Sequence, residues 1–167
     1  MLKSALLEME QHAYHDALTG LSNRRLFVDS LKDRVARCQR YGDNSALLFL
    51  DVDNLKTVND QHGHAAGDML LVQMGKILKN HTRTSDVVAR IGGDEFGVML
   101  DNLDGDQVIE KIDFLMRKFE AADCTYEGIS LPFSAAIGFC FVGPKDTVED
   151  LMSRADAAMY RAKESAE

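Results

Sequence analysis

The stretch Arg90-Ile-Gly-Gly-Asp-Glu-Phe96 joins two apolar runs, residues 87–91 and residues 96–100. Two adjacent glycines between apolar runs predict a β-hairpin, because glycine readily adopts the positive φ that a tight two-residue turn requires. The carboxylates of Asp94 and Glu95 then leave the turn side by side. Taken alone, this pattern describes a hairpin that carries acidic residues near its turn.

A second acidic cluster, Asp51-Val52-Asp53, follows the apolar run of residues 46–50. Side chains two residues apart in a strand lie on the same face, so Asp51 and Asp53 point the same way at the end of this predicted strand. Two acidic clusters at strand ends suggest a hard-cation site. Oxygen ligands favour Mg²⁺, which is usually held by one or two carboxylates together with substrate phosphates. The alternative for Asp51 and for Asp94 is a solvated strand end.

Length and composition restrict the class of protein. The chain has 167 residues, which fits one domain, and 46% of them are hydrophobic, enough for a substantial core. The formal net charge of -8 argues against a general nucleic-acid-binding protein, although it does not exclude a nucleotide substrate. No apolar run approaches the roughly 18 residues of a membrane span. The three cysteines lack metal-ligand spacing, so we expect reduced thiols in a cytoplasmic protein.

The apolar periodicity predicts an α+β sandwich, in which helices flank a central, mostly antiparallel sheet within a single domain. Ser22 or Asn23 is the expected N-cap of the second helix, and Thr147 that of the last. The predicted helices cover about residues 2–12, 24–39, 67–81, 106–119 and 148–163. The predicted strands cover residues 45–53 and 129–142, and the hairpin covers residues 87–101.

These motifs resemble those of the GGDEF family, the diguanylate cyclases, and the resemblance covers about residues 16–163. It rests on further segments at family positions: Asp16-Ala-Leu-Thr-Gly-Leu-Ser-Asn-Arg-Arg25, Asp51-Val-Asp-Asn-Leu-Lys-Thr-Val-Asn-Asp60, Gly63-His64, Gly67-Asp68 and Ala155-Asp-Ala-Ala-Met-Tyr-Arg-Ala-Lys163. The resemblance implies the palm-like fold of nucleotidyl cyclases and polymerases. It also implies a catalytic domain at residues 14–167, preceded at residues 1–13 by the stub of a connector from an upstream sensor module. The alternative for the first helix is a solvent-facing helix that packs on the domain.

The resemblance implies that Asp51, Asp94 and the carbonyl of Val52 bind Mg²⁺ or Mn²⁺, and that Asp94 also accepts a proton. Phosphoryl transfer requires a metal that neutralises charge on the attacked phosphate and activates the attacking oxygen. Glu95 and Asp53 either ligate a second metal or support the site.

The resemblance also implies a set of GTP contacts. Asn59 and Asp68 match the positions that read guanine, and a carboxylate at Asp68 can accept from the guanine N1–H and 2-amino groups, which adenine lacks. Asp68 could instead be a favourable charge near a helix N-terminus. His64 matches another substrate-side position, although a lone histidine can equally be structural. Lys56 and Lys163 match triphosphate contacts.

Arg83-Thr-Ser-Asp86 precedes the two glycines by the spacing of the family's Arg-x-x-Asp inhibitory site, where the product binds away from the catalytic centre. The alternative is a local ion pair in a turn. A second arginine usually completes that site, and Arg117 is a candidate by rough position. Glu167 stands where the family commonly has a phosphate-binding arginine, which puts that contact in doubt.

By resemblance, the expected activity is condensation of two GTP molecules into cyclic di-GMP across a homodimer, with release of two pyrophosphates. The main alternative is a noncatalytic GGDEF domain that binds cyclic di-GMP or GTP as a receptor. A further alternative is an interaction module for an upstream sensor. Products that contain adenine are disfavoured by Asp68. No nucleic-acid partner and no membrane contact are expected for this segment.

Overall fold

The computed structural model describes residues 2–165, and twelve regular elements lie within this range. The helices are α1 (Leu2–Tyr14), α2 (Arg24–Tyr41), α3 (Leu55–His62), α4 (His64–Asn80), α5 (Gly105–Ala121) and α6 (Val148–Ser165). The strands are β1 (Ser45–Val52), β2 (Val87–Gly92), β3 (Glu95–Asp101), β4 (Thr125–Tyr126), β5 (Ile129–Ser130) and β6 (Ala135–Phe141). No helix in residues 2–165 is long and apolar enough to cross a membrane.

Four strands form the main sheet in the order β2-β3-β1-β6, and all three pairings are antiparallel. The predicted hairpin is confirmed, because β2 and β3 are joined by a turn in which Gly93 has a φ of 48°. The α+β class with a central antiparallel sheet is likewise confirmed. Since β1 lies in the middle, its end at Asp51 has a strand on each side.

Alternate residues of β1 face two different hydrophobic cores, as the period of two in a strand requires. Leu48 and Leu50 pack in a core that includes buried residues of α4 and α5. Leu47 and Phe49 pack in the other core, with buried residues of α2 and α6. Asp51 continues the second series, so its carboxylate is directed to the face of the sheet that α6 covers.

Two glycines beside Phe49 allow helices to approach this face closely. Gly138 and Gly97 are its register partners on β6 and β3. A Cβ at Gly138 would lie 1.9 Å from the backbone nitrogen of Met159 in α6, and one at Gly97 would lie 2.6 Å from the Phe27 ring. Because both distances are far below van der Waals contact, side chains at these positions would displace the helices.

The predicted helix at 67–81 is wrong at its start, because α4 begins at His64 and the short helix α3 precedes it. Gly63, with a φ of 91°, separates the two helices. The sequence does not reveal α3, because eight residues give little periodicity and Val58 is the only fully buried residue of this helix. Asp68 is therefore the fifth residue of α4, beyond the first turn, where the helix dipole would favour a negative charge most.

The single strand predicted at 129–142 is also wrong. Residues 129–130 form β5, which pairs with β4 around a turn in which Glu127 and Gly128 both have positive φ. Two adjacent residues with positive φ are typical of the tight turns that close hairpins. Pro132 follows, and because proline has no N–H to donate to a ladder, the chain leaves the extended pairing before β6 begins. The predicted caps Asn23 and Thr147 accept from Leu26 and Asp150.

Candidate active site

The end of β1 and the start of β3 bring the two predicted acidic clusters together. Asp51 is the register partner of Glu95, and the Val52 N–H donates to the Asp94 carbonyl at 3.1 Å. Residues 42 and 44 positions apart therefore lie together at one end of the sheet. Asp53 is fixed beside them, since it accepts a hydrogen bond from the Ser134 hydroxyl at 2.8 Å.

Asp51 is the most perturbed carboxylate of this cluster. Burial, opposed by the hydrogen bond from Lys163 and reinforced by the neighbouring Asp94, raises the pKa of Asp51 from 3.8 to about 6. Lys163 in α6 lies 2.5 Å from Asp51 Oδ2 and its own pKa is raised, mainly by this hydrogen bond. The other carboxylate oxygen, Oδ1, is buried and has no hydrogen-bond partner. The site therefore holds negative charge that a single lysine does not fully compensate.

Glu95 extends the negative region. Burial raises the pKa of Glu95, Asp156 and Asp51 raise it further, and Arg24 partly lowers it. Asp156 and Arg24 lie in segments that carry the family resemblance, but the sequence alone indicates no role for either residue. No local pattern could show these electrostatic effects on Glu95, because Arg24 begins α2 and Asp156 lies in α6.

The donor set fits a hard cation that shares its coordination with a substrate. Within residues 2–165 no group of three or more His, Cys, Asp or Glu side chains could hold a metal ion. Asp51 and Asp94 offer two carboxylates, and Asp51 Oδ1 is an unpaired buried acceptor. Mg²⁺ commonly binds through one or two carboxylates and completes its shell with phosphate oxygens and water. The observed pair meets that requirement, whereas an all-protein cage is not formed.

The candidate guanine-reading residues lie on the two helices that follow β1. Asn59 in α3 faces Gly67 in α4, and its amide oxygen is buried without a partner. His64 and Asp68 are four residues apart and exposed, so they share one face of α4. Lys56 is exposed on α3. Lys163 is thus the one candidate triphosphate contact that the described structure brings into the acidic cluster.

Arg90 holds the signature turn in place, a role that sequence reasoning missed. Its guanidinium donates to the Gly93 carbonyl at 2.8 Å and 3.0 Å, and pairs with Asp16 at 3.2 Å. Asp16 in turn accepts from the Thr19 hydroxyl at 2.8 Å. The opening motif and the signature motif are therefore linked by one network of hydrogen bonds. Asp16 is the first residue of the opening motif, but nothing in the sequence indicates that Arg90 is its partner.

Arg83 and Asp86 lie at the other end of the hairpin. The six residues of β2 separate them from the signature turn by about 20 Å at the usual rise per residue. Asp86 is 8% exposed, and its two oxygens accept from the backbone N–H groups of Arg83, at 2.9 Å, and Asp101, at 3.3 Å. The Arg83 side chain is 55% exposed and donates to the Asp101 carbonyl. Asp86 thus fixes the turn and also pairs with the partly exposed Arg83, whose Nε lies 3.6 Å from Asp86 Oδ2, so the local ion pair is present.

The candidate second arginine, Arg117, is exposed on α5 and lines a groove of about 580 Å³ with Lys111 and Phe114. Burial lowers the pKa of Lys111, Asp86 opposes this effect, and Arg83 adds to it. The charges of Asp86 and Arg83 thus act on Lys111, which places this residue of α5 near the Arg83–Asp86 pair. Glu167 lies outside the described residues.

Comparison with known proteins assigns the family. The family described as "Diguanylate cyclase, GGDEF domain" matches residues 13–167. The chain therefore belongs to the GGDEF family.

Two curated relatives are similar over nearly the whole chain. Diguanylate cyclase DgcS of Shewanella oneidensis is 36% identical over 159 residues, which is 95% of this chain and 52% of the relative. Diguanylate cyclase TpbB of Pseudomonas aeruginosa is 36% identical over 160 residues, 95% of this chain and 37% of the relative. The chain thus spans about half or less of the length of these relatives.

A solved structure agrees in fold. The coiled coil and GGDEF domain of DgcB from Caulobacter crescentus, in complex with c-di-GMP, superposes with a TM-score of 0.92 at 25% identity. The match covers 98% of this chain and 87% of that chain. The palm-like architecture expected from the resemblance is confirmed by this neighbour.

Proposed function

We propose that this chain is the catalytic domain of a diguanylate cyclase, which condenses two GTP molecules into cyclic di-GMP and releases two pyrophosphates. Beyond membership of the family, one observation in the structure supports the proposal. Asp51 has a buried, unpaired carboxylate oxygen beside Asp94, with a pKa raised to about 6. A buried carboxylate oxygen without a partner is costly, and a cation held there together with substrate phosphates would remove that cost.

Asp51, Asp94 and the carbonyl of Val52 would hold Mg²⁺ or Mn²⁺. When bound, the ion neutralises charge on the attacked phosphate and activates the attacking hydroxyl. Lys163 is 36% exposed and so adjoins both the acidic cluster and solvent. Its ammonium contributes positive charge to the triphosphate, and the exposed Lys56 on α3 adds a second contact. Glu95 supports the acidic cluster from β3.

Asn59 and Asp68 would bind the guanine base, with His64 on the same face of α4 as Asp68. Asp68 is exposed and therefore free to accept from the N1–H and 2-amino groups of guanine. A site built around such a carboxylate discriminates against adenine, because the adenine edge leaves the acceptor unpaired. GTP is thus the expected substrate.

Each subunit would bind one GTP, and the 3′-hydroxyl of each nucleotide would attack the α-phosphate of the other across a homodimer. Catalysis then consists mainly of positioning two bound nucleotides and neutralising charge. A monomer binds one nucleotide and is inactive. Residues 1–13 would connect the catalytic domain, residues 14–167, to an upstream sensor module.

Cyclic di-GMP would inhibit the enzyme through Arg83 and Asp86. The separation of this pair from the signature turn, about 20 Å, supports two distinct sites, which an allosteric coupling requires. The exposed guanidinium of Arg83 would contact the ligand, and Asp86 would hold the turn that presents it.

The test is incubation of concentrated protein with GTP and Mg²⁺, followed by chromatographic identification of the products. The parent protein and the variant Glu120→Gln, which changes an exposed carboxylate of α5, should form cyclic di-GMP. Asp94→Asn should form none. Repeating the assay with mixed GTP and ATP should leave adenine-containing products absent.

A receptor would give a different result. If the parent forms no product at any protein concentration, yet binds cyclic di-GMP and loses that binding in Arg83→Ala, the cyclase proposal is refuted. The noncatalytic receptor would then be the better interpretation.

A further inference from the structure

Gly67 packs against Asn59, a side chain that the proposed function uses. A Cβ built on Gly67 would lie 1.8 Å from Asn59 Oδ1 and 2.8 Å from Asn59 Cγ. Both distances are impossible for non-bonded atoms, so the Asn59 amide occupies the space that any other residue at position 67 would fill. Gly67 has no unusual backbone conformation and is fully buried within α4, so conformational freedom does not explain glycine here.

The amide of Asn59 is oriented by this packing. Its oxygen is buried and accepts no hydrogen bond, whereas its nitrogen lies 3.3 Å from the same built Cβ position, farther than the oxygen at 1.8 Å. The oxygen is thus closed to solvent against α4, and the amino group is the end left for a ligand. A purine offers ring nitrogens as acceptors, and guanine adds O6. Asn59 would donate to such an acceptor, while Asp68 accepts from the N1–H and 2-amino donors of guanine.

We propose that Gly67 is a positioning residue for nucleotide binding: its missing side chain creates the cleft that holds the Asn59 amide in its binding orientation. This inference rests on the proposed function, since Asn59 is there assigned to the guanine base. A larger residue at position 67 would rotate the amide out of the cleft while leaving Asp68 and the acidic cluster unchanged. Within the site, the effect would therefore be confined to the Asn59 contact.

Gly67→Ala tests the proposal, with Gly75→Ala as the matched control. Gly75 is a buried glycine of the same helix, and its added Cβ would meet only side-chain atoms of Leu21 and Thr19 at 3.3 Å and beyond. We expect Gly67→Ala to weaken binding of a fluorescent GTP analogue about tenfold, the effect of losing one well-placed hydrogen bond. Gly75→Ala should stay within about twofold of the parent, the ordinary range for a mild change.

A double-mutant cycle with Asn59→Ala separates positioning from a general effect on the fold. If Gly67 acts through Asn59, Gly67→Ala should cause no further loss of GTP binding in the Asn59→Ala background. Urea unfolding should show the same coupling, because truncating Asn59 makes room for the new methyl group. Equal, additive effects in both backgrounds would overturn the positioning role of Gly67.

GTP binding and urea unfolding together also distinguish a failure of the Gly67 contact from a failure of the proposed function. One result would be coupled unfolding energies with GTP binding that neither Asn59→Ala nor Gly67→Ala weakens. It would refute the assignment of Asn59 to the guanine base, and with it the role of Gly67 in nucleotide binding. Additive unfolding energies refute the Gly67 contact alone.

Discussion

Replacing Asp51 by Asn should stabilise the protein when no divalent cation is present. Asp51 has a pKa of about 6 in the folded protein and an ordinary value of 3.8. Stability contributed by a group with a raised pKa is present below its unfolded value and is lost as the pH rises through the folded value. The protein therefore loses stability between about pH 4 and pH 6, and the whole penalty remains at pH 8. Asparagine keeps the shape of the side chain and removes the charge.

The two pKa values set the size of the effect. A difference from 3.8 to about 6 corresponds to at most about 3 kcal/mol. Solvent and side-chain relaxation screen a partly buried charge, so we expect a gain of about 1 to 2 kcal/mol in the free energy of unfolding at pH 8. At pH 4 most of this difference should disappear, because Asp51 is then protonated in the folded protein.

Urea denaturation of the parent and of Asp51→Asn at pH 4 and pH 8, with a chelator, measures the difference. Glu120→Gln is the control, because it removes one exposed carboxylate and should change stability by less than about 0.5 kcal/mol at either pH. Lower stability of Asp51→Asn at pH 8, by the same amount as at pH 4, would refute the reasoning. Such a result would mean that Asp51 stabilises the fold through its contact with Lys163.

Three further predictions concern the proposed metal site, α6 and the proposed inhibitory site. Millimolar Mg²⁺ should raise the melting temperature of the parent but not of Asp94→Asn, since a ligand stabilises only the state that binds it; equal shifts would place the ion elsewhere. Gly138→Ala should cost about 1–3 kcal/mol in urea unfolding, because its Cβ would collide with the α6 backbone, and an unchanged midpoint would contradict this. Asp86→Ala should destabilise the protein by about 1–3 kcal/mol by leaving two backbone N–H groups unpaired, whereas Arg83→Ala should weaken cyclic di-GMP binding with little effect on unfolding.

The hairpin and the acidic clusters could be predicted because their signals are local. Two glycines between apolar runs specify a turn, and the five apolar residues before Asp51 specify a buried strand, so both acidic clusters were placed at strand ends. The short helix α3 and the hairpin β4–β5 gave too few residues for any period to be read. Their stability comes from packing, as for Val58, which lies in a core with residues of α4.

The supporting residues of the site could not be predicted, because they act through neighbours that are distant in the sequence. Arg90 lies in the signature stretch, yet its partner Asp16 lies 74 residues earlier in the chain. The contact between Lys163 and Asp51 spans 112 residues. For Lys163 the family resemblance supplied a role, but the contact with Asp51 follows only from β1 directing Asp51 towards α6.

The structure also weighs against the structural alternative for Asp51. A solvated strand end would be exposed and would need no partner, yet the Asp51 side chain is 14% exposed and keeps one oxygen unpaired. If Asp51 served only the fold, a neutral side chain would make the protein more stable, because burial and Asp94 both oppose the charge of Asp51. The charge is thus retained at a cost to the free protein. A bound cation together with a triphosphate would turn that cost into binding energy, which is the arrangement that the proposed cyclase requires.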